Sequence, residues 1–216
     1  MIGCRLDALP HPRPRHDDHV MDHYRALFER HQWLKDALCW TVVQPLDEGI
    51  TRDDLLWRLN SGHDPEERIL DHPMEVAMDE DLLLLYVFES DGAYGFLEGR
   101  YGYPLSDELL SALSESGRVW TTSWQFNGTS TISYAGGGRV QARIRNYVLG
   151  DRIDEETVSD VFTDFQVMLD DLDRRDFDGR RSAAFAFIET VTGVGVASDR
   201  LDGAGCPVIV LDAPAS

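Results

Sequence analysis

The chain has 216 residues, 43% of them apolar, and a formal net charge of −19. That length suits one domain with a real core, since a fold of this size buries roughly 70% of the surface its unfolded chain exposes. The charge disfavours nucleic-acid binding, which needs a basic footprint, and no run of about 18 apolar residues is present to span a bilayer.

Residues 1–16 read as a disordered tail rich in Pro, His and Arg, with Pro10, Pro12 and Pro14 at alternate positions. This start lacks the basic-then-apolar pattern of a secretory signal, so a cytoplasmic location is expected. A helix follows from about Asp17 to Leu38. Val20, Tyr24, Leu27, His31, Leu34 and Leu38 recur at steps of four and three, one stripe of a helix. His16, His19 and His23 share a side of its first turns and can in principle hold a metal. The bland reading, a polar and frayed first turn, is preferred: no further ligand stands at a fixed spacing, so no metal and no cofactor are assigned.

"CWTVVQPL" reads as a strand stopped by Pro45, with Cys39 as a small core residue. Cys4, Cys39 and Cys206 are widely spaced and form no CxxC, which removes zinc-ribbon and thioredoxin-like readings. "ITRDDLLWRLNSG" is a short helix with a capping box at Thr51 and Asp54. "HDPEERILDHPMEVAMDED" reads as loop with a helical turn. "LLLLYVFES" is apolar throughout, as in a strand covered on both faces. "DGAYGFLEGRYGYP" continues the sheet, and its Tyr94, Tyr101 and Tyr103 form a candidate aromatic ligand wall. The competing reading is plain core packing of aromatics. "SDELLSALSES" is a helix capped by Ser106.

Between Val119 and Ile144, side-chain parity sets the layout. Trp120, Trp124, Phe126, Ile132, Tyr134, Val140, Ala142 and Ile144 all fall on even positions, as one face of a sheet requires. A three-residue loop at Gly136–Gly138 pairs Tyr134 with Val140 and Ile132 with Ala142. A two-residue turn at Asn127-Gly128 is the expected hairpin signal, but it sets Trp124 and Ile132 on opposite faces. Parity therefore favours an odd-length loop with Gly128 left-handed, or a bend in one long strand. The odd-numbered Thr121, Ser123, Gln125, Thr131, Arg139 and Arg143 are left as the face open to a partner.

A helix from Glu155 to Leu172 follows, with Val158, Val161, Phe162, Phe165, Met168, Leu169 and Leu172 on its apolar side. Glu156, Asp160 and Asp164 repeat at i+4 on the other side, where like charges are mildly destabilising. A partner with a basic surface explains their retention; a solvated face is the simpler alternative. "RRSAAFAFIETVTG" is a second helix and "CPVIVL" a closing strand. No GxSxG, GxxxxGK[ST] or HExxH is present, so no reaction class is assigned.

The pieces "WLKDALCWTVVQPLD", "DDLLWRLNSG", "LLLLYVFESDGAYGF", "SDELLSALSESGRVWTTSWQFNGTSTISYAGGGRVQARI" and "AAFAFIETVTGVGV" together resemble an uncharacterised actinobacterial domain-of-unknown-function family, over about residues 33–202. The resemblance rests on Trp124 and Asn127, on Ile132, Tyr134 and Ala135, and on Thr192 to Val194. It implies no activity and transfers no functional residue. Where that family carries an acid and one glycine in the hairpin turn, this chain has Gly136 to Gly138.

The expected fold is α+β: one domain over residues 17–212, with a mainly antiparallel sheet of about five to seven strands and helices packed mostly on one face. The expected function is a non-enzymatic protein–protein interaction module, immunity-like or regulatory, that meets a basic partner through Glu156, Asp160 and Asp164. The alternative is a small-molecule binder or enzyme with a pocket near Tyr94–Tyr103, and a third reading is a DNA mimic. The oligomeric state is left open.

Overall fold

The computed structural model describes residues 16–149, 154–155, 160–201 and 204–211. The expected tail before His16, and Glu156 and Val158, lie outside them. Among the described residues, nine strands form one sheet in the order β2-β9-β3-β4-β1-β5-β6-β7-β8. These are β1 (Leu38–Pro45), β2 (Glu66–Leu70), β3 (Leu83–Ser90), β4 (Ala93–Glu98), β5 (Gly117–Trp124), β6 (Ser130–Gly136), β7 (Val140–Arg145), the two-residue β8 (Asp154–Glu155) and β9 (Cys206–Leu211). Every pairing is antiparallel. The α+β class holds, and the sheet is wider than the five to seven strands expected. The surplus comes from its ends. β2 falls in the stretch expected to be loop with a helical turn; its alternation is weak, since Glu66, Glu67, Arg68 and Ile69 sit on an edge with little to bury. Charged residues of this kind keep an edge strand from pairing with other chains.

The helices are α1 (His16–Arg30), α2 (Arg52–Leu59), α3 (Pro73–Glu80), α4 (Asp107–Ser114), α5 (Thr163–Asp170) and α6 (Phe177–Thr192). α6 lies against the sheet, with α1 and α5 packed on either side of it. Its run from Ala183 to Ile188 is entirely buried, which is why its sequence shows small and aromatic residues on every side instead of a polar stripe. Phe185 touches Tyr24, Phe28, Trp40 and Trp124, with ring centroids 5.0–5.9 Å apart. α6 fills the middle of this layer, and its neighbours reach the sheet as well: Phe28 of α1 lies on Trp124, and Phe162, just before α5, lies on Trp120.

The long N-terminal helix is also shorter than its stripe. It ends at Arg30, His31 leaves helical geometry (φ −114°, ψ 76°), and a 3₁₀ turn covers Gln32–Lys35. Leu34 and Leu38 still reach the same core. The periodicity recorded burial, and burial survived the break. Ser198 Oγ lies 3.1 Å from His31 Nε2 at the point where the chain turns.

The opposite face is covered too, so helices do not confine themselves to one side. α2 and α4 close a second apolar cluster around Val43, Phe96, Val119 and Ala135. Thr51 and Asp54 form the expected capping box, and Ser106 caps α4. Beside this cluster runs a buried layer of small polar side chains. Thr41 Oγ1 and Thr121 Oγ1 are 2.9 Å apart, and the thiol of Cys39 is 3.7 Å from each. Arg143 donates to Ser133 Oγ and to Asp107 at the start of α4 (2.5 Å). Hence Thr121, Ser123, Thr131 and Arg143 are buried, not open to a partner; Gln125 is half-buried and Arg139 is exposed. β5 and β6 lie inside the sheet, and the stretch after β4 folds over their end.

Glu98 anchors that stretch. Its buried carboxylate accepts backbone N–H bonds from Arg100, Tyr101 and Gly102 at 2.6–2.9 Å. Burial nevertheless outweighs these donors and raises the carboxyl above its ordinary range. Gly102 (φ +60°) passes so close to the backbone of Trp124 and Leu38 that a Cβ there would collide with both.

The hairpins resolve the parity question. β5 and β6 pair Trp120 with Tyr134 and Trp124 with Ser130. Gln125 N donates to Thr129 O, so Phe126–Gly128 is a three-residue loop with Gly128 left-handed (φ +85°). The odd-length loop holds. Phe126, however, sits at the loop tip and is 87% exposed, not on the core face. The next turn is tighter than expected. Gly136 N donates to Arg139 O, and Gly137 and Gly138 both have positive φ, a two-residue turn of type I′ geometry. A bulge between Tyr134 and Ala135 then restores parity, pairing Tyr134 with Ala142 and Ile132 with Ile144. The bulge moves Val140 opposite Ala135, into the second cluster.

Candidate functional site

The acidic segment is only partly helical. Glu155 belongs to β8, where it pairs with Ile144, so the expected helix from Glu155 is corrected to a 3₁₀ turn (Asp160–Phe162) leading into α5. Asp160 and Asp164 are exposed on this segment. Phe162, Phe165 and Leu169 form its inward face, as the apolar spacing required.

Asp164 also stands on the rim of a groove with a volume of about 400 Å³. α6 forms the floor with Phe187, Thr190 and Val191, one ridge at i, i+3 and i+4. α1 supplies one wall through Met21, Asp22 and Arg25. α5 and the two residues after it supply the other, with Asp164, Val167, Met168, Asp171 and Leu172. The lining thus mixes apolar side chains from all three helices with Thr190 and four charged residues. Val167, off the inward face of α5, is 46% exposed.

The charge on the rim is unbalanced. The one cation of the lining, Arg25, is held by both oxygens of Asp176, at 2.6 and 3.2 Å. That bond raises the guanidinium further and holds the Asp176 carboxyl below the usual carboxylate range. Asp22, Asp164 and Asp171 make no ion pair among the described residues. The lining holds neither a cysteine nor a histidine, so it offers no thiolate or imidazole for metal binding or nucleophilic chemistry.

The tyrosines are placed apart. Tyr94 opens β4 opposite Val43 and Glu89, while Tyr101 and Tyr103 follow the far end of that strand. Tyr94 and Glu98 are four positions apart along the strand, about 13 Å. Tyr101 donates to Asp81 (3.1 Å) and stacks on Tyr103 with centroids 6.0 Å apart; Tyr103 is 64% exposed. None of the three lines the groove.

On α1, His19 is exposed and His23 donates through Nε2 to the carbonyl of Val196 (3.1 Å). No cluster of three metal-ligating side chains occurs among the described residues. Cys39 is buried, and burial pushes its thiol up to about 11, which leaves little thiolate at neutral pH. No helix among the described residues is long and apolar enough to cross a membrane.

The groove escaped the sequence reading because it joins three helices distant in the chain. A signal was present. Met21 and Val167 lie just off the core stripes of their helices, as apolar residues flanking a groove do. Comparison with models of protein families, with curated proteins and with solved structures found no match.

Proposed function

We propose that the chain is a non-enzymatic, cytoplasmic protein–protein interaction module, immunity-like or regulatory, which binds a partner with a basic surface. The observation that carries this reading is the α1–α5 groove: apolar side chains of three helices bordered by Asp22, Asp164 and Asp171, which make no ion pair among the described residues. Apolar contact supplies affinity, and the rim supplies attraction and orientation. The net charge of −19 acts in the same direction at longer range. The likeness to the actinobacterial domain-of-unknown-function family is part of the same proposal and adds no residue to it.

The test is capture from the native lysate by the wild-type chain and by a variant with Glu156→Gln, Asp160→Asn and Asp164→Asn. The wild type should retain a basic protein that the variant releases, and the retention should weaken as salt is raised. Equal yields from both proteins would contradict the reading.

A further inference from the structure

The groove has a definite shape as well as a sign. Its floor is a helical ridge, and its walls are two helices that both lean on that ridge. Its volume is at the small end of the roughly 300–1,000 Å³ typical of ligand clefts. That is room for a few side chains entering from outside. Met21 and Met168 face it from opposite walls, and methionines adapt to the shape of whatever packs on them.

The rim carries spacing. Asp164, in the first turn of α5, and Asp171, its C-cap, lie seven residues apart, about two helical turns or about 10.5 Å. Asp22 faces them from α1. Arg25, the one cation of the lining, is paired with Asp176, so the rim stays net negative through Asp22, Asp164 and Asp171.

We infer that the groove seats one amphipathic helix of the basic partner, with two cationic side chains about two turns apart on Asp164 and Asp171 and apolar side chains between them on Val167 and Val191. This rests on the reading of the chain as a protein-binding module and adds the secondary structure and charge spacing of what it binds. A second copy of this chain is the wrong occupant: it would bring the same acidic rim and the same net charge of −19.

The probe is a capped synthetic peptide of about 18 residues, long enough to hold helix in water. It carries two arginines seven positions apart with two leucines midway between them. The control has the same composition in scrambled order. Fluorescence anisotropy should give a Kd of about 10 µM or tighter for the probe, and binding at least about tenfold weaker for the control. Val167→Asp, at a position exposed enough to keep the fold, should weaken the probe by about tenfold, and Asp164→Asn with Asp171→Asn by several-fold.

Equal binding of probe and control, or indifference to Val167→Asp, overturns the inference. If the probe fails while the native partner is still lost on neutralising Asp164 and Asp171, the helix inference falls and the binding module stands. If the native partner is also unaffected, both fall. A dimer in sedimentation equilibrium that the probe dissolves would make a second copy the occupant and overturn the inference as well.

Discussion

The two faces of the sheet are built by different rules. The face under α1, α5 and α6 is an interlocked aromatic layer, with Trp40, Trp124, Phe28 and Phe185 fully buried and in mutual contact. The face under α2 and α4 is apolar in part and continues as a hydroxyl, thiol and guanidinium layer closed by the Glu98 turn. The first kind of burial depends on shape and area. The second depends on every polar atom keeping its partner, because an orphaned group in the interior costs more than the bond itself contributes. The helical side is therefore the stable platform on whose outer surface a groove can be left open.

The sharpest break of this contrast is Phe185→Ala. It removes a ring touching four aromatics and should cost about 3–5 kcal/mol, read as a lower urea midpoint. Next comes Glu98→Ala, which leaves three backbone N–H groups without their acceptor and should cost about 1–3 kcal/mol.

Glu98→Gln sharpens the contrast through pH. The folded state raises this carboxyl, so folding favours its protonated form. That stability is present below the unfolded value and is lost as pH rises through the folded one. Between pH ~4 and pH ~7 the wild type should lose stability relative to Glu98→Gln, as thermal melts at both ends of the window will register. A constant difference would contradict the burial account of Glu98.

A smaller effect is expected at Thr121→Val, about 1 kcal/mol, since Thr41 loses its hydroxyl partner while volume is kept. Phe126→Ser should be smallest, within about 0.5 kcal/mol, because the ring is bare at its loop tip.

The same contrast explains what could be read from the sequence. The helical face was legible because parity and 3.6-residue spacing encode burial directly: Trp120, Trp124, Ile132 and Ile144 share a face, as their even numbers required. The odd-length loop at Phe126–Gly128 followed from the same constraint. The polar face was illegible, since Thr121, Ser123 and Thr131 look the same in sequence whether water or the chain after Glu98 covers them. The bulge at Ala135 could not be seen either, because it changes pairing without changing the pattern at Ile132 and Ile144. In the candidate site, Asp164 stands out in the sequence by its charge spacing. Its companions Met21, Val167 and Val191 were not, as only the tertiary fold brings them together. The end of α1 at Arg30 and the 3₁₀ turn at Asp160 leave no mark in the sequence because apolar spacing runs straight through both.

The measurement that bears most directly on the proposed role is a hydrogen-exchange footprint of the full chain with and without its captured basic partner. The groove reading predicts added protection at Met21–Arg25 and at Asp164–Leu172, with the segment from Tyr101 to Tyr103 unchanged. Protection at Tyr101–Tyr103 with none on α1 and α5 would contradict it.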